Sequence, residues 1–203
     1  MKIDLRTAAV IVLPVILFGA GCMHGKAVVK NTFLLDAQRD DRFVHGESMG
    51  ILAVQPFSIA PAFEGKGVVS RIGENKYESD YYNEYFVSPA QMMTERARNW
   101  LSQSGLFAQV LPPVSCVEPT YVLEGHVKQM VMDVRSRTAA HAVLEIQFFL
   151  LQQQSKHRVI QFQKTYTSIQ LMESASFQDY MAAQNWGLRN MLSTLESDLA
   201  SQL

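Results

Sequence analysis

Three consecutive segments in the second half of the chain alternate apolar and polar residues, and this pattern restricts the fold more than any other feature. The segments are residues 121–131, 140–150 and 158–169. An alternation with a period of two and one polar face predicts strands of an antiparallel sheet that is covered on one side only. We expect one face of each strand to be apolar: Tyr121, Leu123 and Val127 in the first; Ala140, Ala142, Leu144, Ile146, Phe148 and Leu150 in the second; Ile160, Phe162 and Tyr166 in the third.

Two helices are predicted from their end signals. Ser88 is a suitable N-cap, Pro89 fits the first helical position, and Gly105 is a suitable C-terminal stop. Ser176 with Asp179 three residues later predicts the start of a second helix. Apolar residues then recur every seven positions, at Met181, Leu188 and Leu195, as expected for one buried helix face.

Shorter strands are predicted in the first half of the chain, at residues 32–35, 51–59, 68–72, 76–80 and 106–110. The segments on either side of the turn Gly73-Glu74-Asn75 form a predicted hairpin. The order strands, helix, strands, helix predicts an α+β fold: an antiparallel or mixed sheet with two main helices packed on one face.

The N-terminus has the features of a lipoprotein signal. Lys2 and Arg6 precede an apolar run, residues 8–18, that is too short to cross a bilayer. The ending Gly19-Ala20-Gly21-Cys22 resembles the lipobox of bacterial lipoproteins, although that pattern usually has leucine where Gly19 stands. We therefore predict a signal peptide at residues 1–21, lipid attachment at Cys22, a short membrane tether at residues 22–31 and one domain at residues 32–203. The alternative is a plain secretory signal with an incidental cysteine.

The charge of the chain argues against a nucleic-acid partner. Removing residues 1–21 leaves 16 basic and 18 acidic residues, with no concentrated basic segment. Only one other cysteine, Cys116, then remains beside Cys22, so the monomer has no pair for an internal disulfide within the domain. Because no base is adjacent to Cys116, we expect a structural or incidental thiol rather than a nucleophile.

No spacing typical of a catalytic or metal site is present. The five histidines are at least 15 residues apart, and no phosphate-binding glycine loop or Gly-x-Ser-x-Gly motif occurs. His126 and His141 lie on polar strand faces and could meet only across paired strands. Glu78, Asp80 and Glu84 alternate with aromatic residues, a pattern more typical of a solvated strand than of a carboxylate pair. We expect neither an enzyme nor a cofactor other than the covalent lipid.

The stretch YESDYYNEYF, residues 77–86, contains five aromatic rings in ten residues. Tyrosine provides a large contact area at a low entropic cost and is enriched in protein interfaces. The same rings would also suit a core beneath the first helix, and the two interpretations are compatible. The stretch is therefore either a docking surface, a part of the core, or both.

Several motifs resemble the ABC-type transport auxiliary lipoprotein family, and the likeness covers most of the chain. The family signature is an arginine, a short turn and Tyr-Glu-x-x-x-Tyr-Asn; here Arg71, Tyr77, Glu78, Tyr82 and Asn83 occupy those places. The resemblance implies a non-catalytic lipoprotein that works with an MCE-domain protein and an ABC transporter to move lipids between the two membranes. Met23, in place of the aspartate that retains lipoproteins in the inner membrane, implies the inner leaflet of the outer membrane.

Within this family we expect a protein-docking surface that Tyr81, Tyr82 and Tyr85 form or brace, whether the stretch is a strand or a helical turn. The residues that we predict to contact the partner are Arg71, Tyr77, Tyr81, Tyr82, Asn83 and Tyr85. The main alternative is an assembly or secretion lipoprotein that forms a homo-oligomeric ring or pore. A periplasmic hydrolase would need a site that the sequence does not reveal, and a lipid-binding groove between sheet and helices stays open.

Overall fold

The computed structural model describes residues 29–39, 48–136, 138–155 and 157–202. The predicted signal peptide, Cys22 and most of the predicted tether lie outside these residues. Nine strands and two helices follow one another in the described chain: β1 (Asn31–Phe33), β2 (Met49–Val54), β3 (Ser58–Ile59), β4 (Gly67–Arg71), β5 (Tyr77–Tyr85), α1 (Pro89–Ser104), β6 (Phe107–Val110), β7 (Tyr121–Asp133), β8 (His141–Gln154), β9 (His157–Leu171) and α2 (Phe177–Gln202). A single 3-10 turn, Pro61–Phe63, follows β3.

Strand β7 is the centre of the sheet. One of its edges pairs antiparallel with β8 from end to end, and β8 pairs in turn with β9. The other edge pairs in parallel with β2, then β3, then β4. Strand β2 continues the sheet to β6, whereas β4 continues it through β5 to β1. The sheet is therefore mixed, which confirms the predicted α+β class.

The ends of both helices follow from the local sequence. Helix α1 begins after Ser88 at Pro89 and stops at Gly105, which has the left-handed φ of 71° that glycine accepts without strain. Ser88 itself makes no side-chain capping bond. In α2 the hydroxyl of Ser176 accepts the backbone N–H of Asp179 at 3.1 Å, as the predicted cap requires.

Both helices pack on one face of the sheet and enclose the main core. The predicted heptad residues of α2, Met181, Leu188 and Leu195, are all buried there. Val131 and Val143 point to the opposite face, where Phe63 of the 3-10 turn covers them in a second, smaller core. No helix among the described ranges is long and apolar enough to cross a membrane.

Two details of the predicted strands are wrong. The predicted strand 51–59 is two strands, β2 and β3, which both pair with β7. Pro56 lies between them and has no N–H to donate, so it interrupts the hydrogen bonding to β7. Ile160 does not share a face with Phe162, because the ladder shifts between Leu150 and Leu151 and leaves Ile160 exposed.

The two histidines on β7 and β8 do not meet. Strand register places Gln147 opposite His126 and Asp133 opposite His141. A histidine pair on adjacent strands is therefore excluded for these two residues.

Candidate functional site

The six residues predicted to contact a partner occupy three separate places along β4 and β5. Tyr85 is in the core and only 3% exposed. Tyr81, Tyr82 and Asn83 lie in an irregular part of β5, which we call the tyrosine bulge together with Asp80. The remaining two residues, Arg71 and Tyr77, lie at the β4–β5 turn.

The placement of Tyr85 corrects the prediction that this side chain contacts a partner. Its ring lies under α2, where its hydroxyl is 3.1 Å from the hydroxyl of Tyr180. Its backbone is held on both sides, by the carbonyl of Lys66 and by the pairing with Phe33 of β1. Tyr85 therefore supports β5 from inside the core, and its side chain is too buried to contact a partner.

The tyrosine bulge is built around the carboxylate of Asp80. The pairing of β4 with β5 jumps from Ser79 to Glu84, so that the residues between them loop out of the ladder. One oxygen of Asp80 accepts the backbone N–H groups of Tyr82, at 2.7 Å, and of Asn83, at 3.0 Å. The other oxygen accepts the side-chain amide of Asn83 at 2.8 Å.

These bonds change the acidity of Asp80. Partial burial raises the pKa of its carboxyl, but the hydrogen bonds from Asn83 and Tyr82 together outweigh burial and leave the pKa below its ordinary value. The carboxylate is thus charged at neutral pH and holds the bulge through these three hydrogen bonds.

The bulge presents two exposed rings, those of Tyr81 and Tyr82. The rings meet edge to face with their centres 5.4 Å apart. The amino group of Lys30, just before β1, lies 4.8 Å from the centre of the Tyr81 ring and donates to Glu84 at 2.9 Å. The hydrogen bond to Glu84 raises the pKa of Lys30, so the cation persists beside the rings.

The β4–β5 turn carries a second group of side chains, which we call the turn cluster: Arg71, Glu74, Tyr77, Asp133 and Arg135. Arg71 and Tyr77 are directly opposite each other on the two strands. The guanidinium carbon of Arg71 lies 5.7 Å from the centre of the Tyr77 ring, and its Nη2 donates to the Glu74 carbonyl at 2.8 Å. Nε of Arg71 is buried and has no hydrogen-bond partner among the described residues.

The end of β7 completes the turn cluster. Asp133 accepts two hydrogen bonds from Nε of Arg135, at 2.9 and 3.1 Å, and one from Nη2 at 2.6 Å. The hydrogen bonds from Arg135, with a smaller contribution from the charge of Arg71, lower the pKa of Asp133 although burial opposes them. In the turn cluster, hydrogen bonds therefore position the charged side chains near the half-exposed Tyr77.

Sequence reasoning missed part of this surface. Asp133, Arg135 and Lys30 carry no motif; only the pairing of β7 with β4 and of β1 with β5 brings them to this surface. Phe86 ends the same aromatic stretch and is exposed as well.

The remaining predicted features give no second site. In the described ranges no three histidine, cysteine or acidic side chains are close enough together to hold a metal ion. Cys116 is exposed in the proline-rich loop between β6 and β7.

Comparisons with known proteins identify the fold. No family model and no curated protein sequence matches the chain. Among solved structures, a Xanthomonas campestris protein of the DUF330 family is 15% identical, has a TM-score of 0.70, and is matched over 85% of this chain and 100% of its own. An uncharacterised protein is 12% identical over 84% of this chain and 99% of its own, with a TM-score of 0.64.

A third structure is more distant. A hypothetical protein from Chlamydia trachomatis is 7% identical over 76% of this chain and 99% of its own, with a TM-score of 0.53. At such identities the likeness establishes a shared fold, and the function must be argued from the chain itself.

Proposed function

We propose that the protein is a non-catalytic envelope lipoprotein that serves as the outer-membrane docking point of an ABC/MCE-type transport system. In this role it catalyses no reaction and acts only by binding. The lipid on Cys22 fixes the domain at the inner leaflet of the outer membrane, facing the periplasm. The domain then holds an MCE-domain protein, through which lipids pass between the inner and outer membranes.

The observation that carries this proposal is the pair formed by Arg71 and Tyr77. Arginine and tyrosine are among the residues that contribute most to protein interfaces, especially where neighbouring contacts hold them in place. Here the turn carbonyl of Glu74 and the opposite strand position constrain both side chains before any partner arrives. We therefore assign the protein contact to the turn cluster, and Tyr81, Tyr82 and Asn83 lie beyond it along β5.

The absence of catalysis is part of the proposal. The carboxylates near the exposed tyrosines already have structural partners: Asp80 holds the bulge, and Glu84 binds Lys30. A carboxylate committed to such bonds is poorly placed to transfer a proton to a substrate. Turnover of any substrate that is lost on replacing one of these acids would contradict this part.

The test is a crosslinked pull-down from membranes that contain the intact protein. We expect an MCE-domain protein to be recovered with the parent chain and lost with Tyr77→Ala or Arg71→Ala. Trp186→Ala is the matched control, because Trp186 is an exposed aromatic residue on α2, outside the turn cluster. Recovery that does not change with Tyr77→Ala would contradict the assignment to the turn cluster.

The anchor is tested with Cys22→Ala in the same cells. We expect this form to leave the outer membrane and to capture less partner there. If it remains in the outer membrane at the parental level, the proposed anchor is wrong.

A second candidate, the homo-oligomeric ring or pore, is supported by the outer edge of β9. Strand β9 pairs with β8 alone among the described strands, so that fifteen residues present an open edge. Long open edges are templates for pairing with another chain. A stable self-oligomer that makes vesicles leak, together with no MCE-domain protein in the pull-down, would favour this function over docking.

A further inference from the structure

The first described residues of the chain lie beside the tyrosine bulge. Strand β1 runs parallel to β5, with Asn31 opposite Asn83. Lys30, the residue before Asn31, therefore lies on the side of the tyrosine bulge, away from the buried end of β5 at Tyr85. Lys30 confirms this side, because its amino group contacts both Glu84 and the ring of Tyr81.

The length of the connection limits how far this part of the domain can lie from the bilayer. Seven residue steps separate Cys22 from Val29, the first residue that the structure describes. Fully extended, they span at most about 25 Å. A domain anchored at Cys22 therefore keeps Val29, just before β1, within about 25 Å of the anchored cysteine.

The side chains beside this entry point have the chemistry of a membrane interface. Three rings are strongly exposed, Tyr81 at 60%, Tyr82 at 58% and Phe86 at 60%. Exposed Leu34 follows Phe33, whose carbonyl accepts the backbone N–H of Phe86. Tyrosine rings favour the boundary between headgroups and acyl chains, since the ring is apolar and the hydroxyl stays hydrated.

Two lysines flank the rings. Lys30 lies against Tyr81, and the amino group of Lys66 donates to the backbone carbonyl of Phe86 at 2.9 Å. Lysine at a bilayer surface keeps its amino group near the phosphates while its methylenes cover apolar surface. The apolar rings thus suit the acyl-chain boundary, and the two amino groups suit the phosphates above it.

We propose that Tyr81, Tyr82 and Phe86, flanked by Lys30 and Lys66, insert into the headgroup region of the bilayer that holds the lipid on Cys22. This contact rests on the anchor in the proposed function and adds an orientation to it. The lipid holds the domain at the membrane, and the rings fix which side faces the bilayer. The turn cluster, at the start of β5, is then held in one orientation relative to the bilayer for the protein partner.

The experiment uses the full lipidated chain in vesicles of zwitterionic and anionic phospholipids, a fraction of which is brominated on the acyl chain close to the headgroup. Bromine quenches nearby tryptophan, so Phe86→Trp reports on the depth of the proposed contact. Val114→Trp is the matched control, because Val114 is exposed in the proline-rich loop. The emission of Trp100 and Trp186 in the parent chain is subtracted from both.

We expect bromolipid to reduce the emission of Phe86→Trp and to leave that of Val114→Trp unchanged. Adding Tyr81→Ser and Tyr82→Ser to Phe86→Trp should reduce the quenching, because the neighbouring rings no longer hold the surface in the interface. Equal quenching at the two tryptophan positions would overturn the proposal. A second pair of results would also overturn it: Phe86→Trp is not quenched, and Tyr81→Ser captures less partner than the parent chain. The surface would then bind protein rather than lipid.

A separate measurement tests whether the proposed anchor on Cys22 is present. Mass spectrometry of the N-terminal peptide shows whether Cys22 carries acyl chains in the same sample. A chain without acyl groups overturns the anchor and, with it, this contact. An acylated chain that captures its partner but shows no quenching at Phe86→Trp overturns the contact alone.

Discussion

The hydroxyl groups of Tyr85 and Tyr180 lie 3.1 Å apart inside the core and join β5 to α2. Tyr180 is fully buried, so loss of the Tyr85 hydroxyl removes a hydrogen-bond partner in a place that water does not reach. We expect Tyr85→Phe to lower the free energy of unfolding by about 1 to 3 kcal/mol. Tyr85→Ala also leaves a cavity under α2 and should cost about 3 to 5 kcal/mol.

Urea unfolding of the unlipidated Cys22→Ala chain measures both changes. Because Tyr85 braces the surface from inside, Tyr85→Phe should still capture the partner at the parental level in the intact protein. Tyr82→Ala is the control, since its exposed ring should change stability by less than about 0.5 kcal/mol. A Tyr85→Ala chain as stable as the parent would contradict the buried position.

A second prediction concerns the close approach of Phe57 to Gly125. A side-chain carbon added to Gly125 would lie 2.7 Å from the Phe57 ring, which packs in turn against Phe148. Both rings are buried, so Gly125→Ala should lower the free energy of unfolding by about 1 to 3 kcal/mol. Thermal or urea unfolding measures the change.

Gly65→Ala is the matched control for this substitution, because nothing lies within 4 Å of the added carbon. It should leave stability unchanged or raise it slightly, by restricting the unfolded chain. Equal effects of the two substitutions would show that the Phe57 ring moves freely.

A third prediction concerns Glu196 of α2, which joins three parts of the chain. Its carboxylate accepts Nη2 of Arg39 at 2.7 Å, Nε of Arg39 at 3.0 Å and Nε1 of Trp100 at 2.7 Å. The Arg39 and Glu196 side chains are at least nine-tenths buried, so the loss of one charge is expensive. We expect Glu196→Gln to lower the free energy of unfolding by about 3 kcal/mol or more.

The comparison for Glu196 is Glu78→Gln. Glu78 pairs with Lys76 at 3.4 Å on the surface, where both side chains are well exposed. An exposed pair contributes less than about 1 kcal/mol. If both substitutions had the same small effect in urea, the buried network would not contribute to stability.

The sequence predicts the parts of the fold that are decided locally. Pro89 and Gly105 bound α1 where their backbone preferences require, and the alternation in β8 places its apolar face correctly. The alternation fails in β9, where one residue looped out of the ladder reverses the faces and exposes Ile160. Such a bulge depends on the partner strand, which single-sequence periodicity does not contain.

The same reason explains the candidate site. A regular strand would place Tyr77 and Tyr85 on one face, but the tyrosine bulge intervenes, so that Tyr77 is half exposed and Tyr85 is buried. The contact of Lys30 with Tyr81 joins residues about 50 positions apart and follows only from the pairing of β1 with β5. The sequence predicts which types of residue form the site, whereas their positions relative to one another follow only from the strand register.

A fourth prediction concerns pH and the tyrosine bulge. The pKa of Asp80 is lower in the folded chain than in the unfolded one, whose carboxyl has an ordinary value of about 3.9. The stability that the ionised group contributes is therefore complete above that value and is lost as the pH falls through the folded pKa. Asp80→Asn should be less stable than the parent at neutral pH, and the difference should shrink below about pH 4.

Unfolding of both chains in urea from pH 7 to pH 3 tests this difference. Comparing the two chains isolates Asp80, because the other acids titrate in both. Glu74→Gln is the control, because Glu74 contributes only its backbone carbonyl to a described hydrogen bond. A difference between parent and Asp80→Asn that stays constant over this range would show that the carboxylate does not hold the bulge.

The last prediction separates the docking function from the ring or pore. Ile169 and Leu171 are 61% and 68% exposed near the end of β9, whose outer edge has no partner among the described strands. If copies of the chain assemble through this edge, Ile169→Lys should dissociate them, since a buried lysine without a partner opposes pairing. If the chain acts as a docking point, Ile169→Lys should leave both its mass in solution and its capture of the partner unchanged. Light scattering of the detergent-solubilised protein, with Val114→Lys as the control for added charge, decides between them.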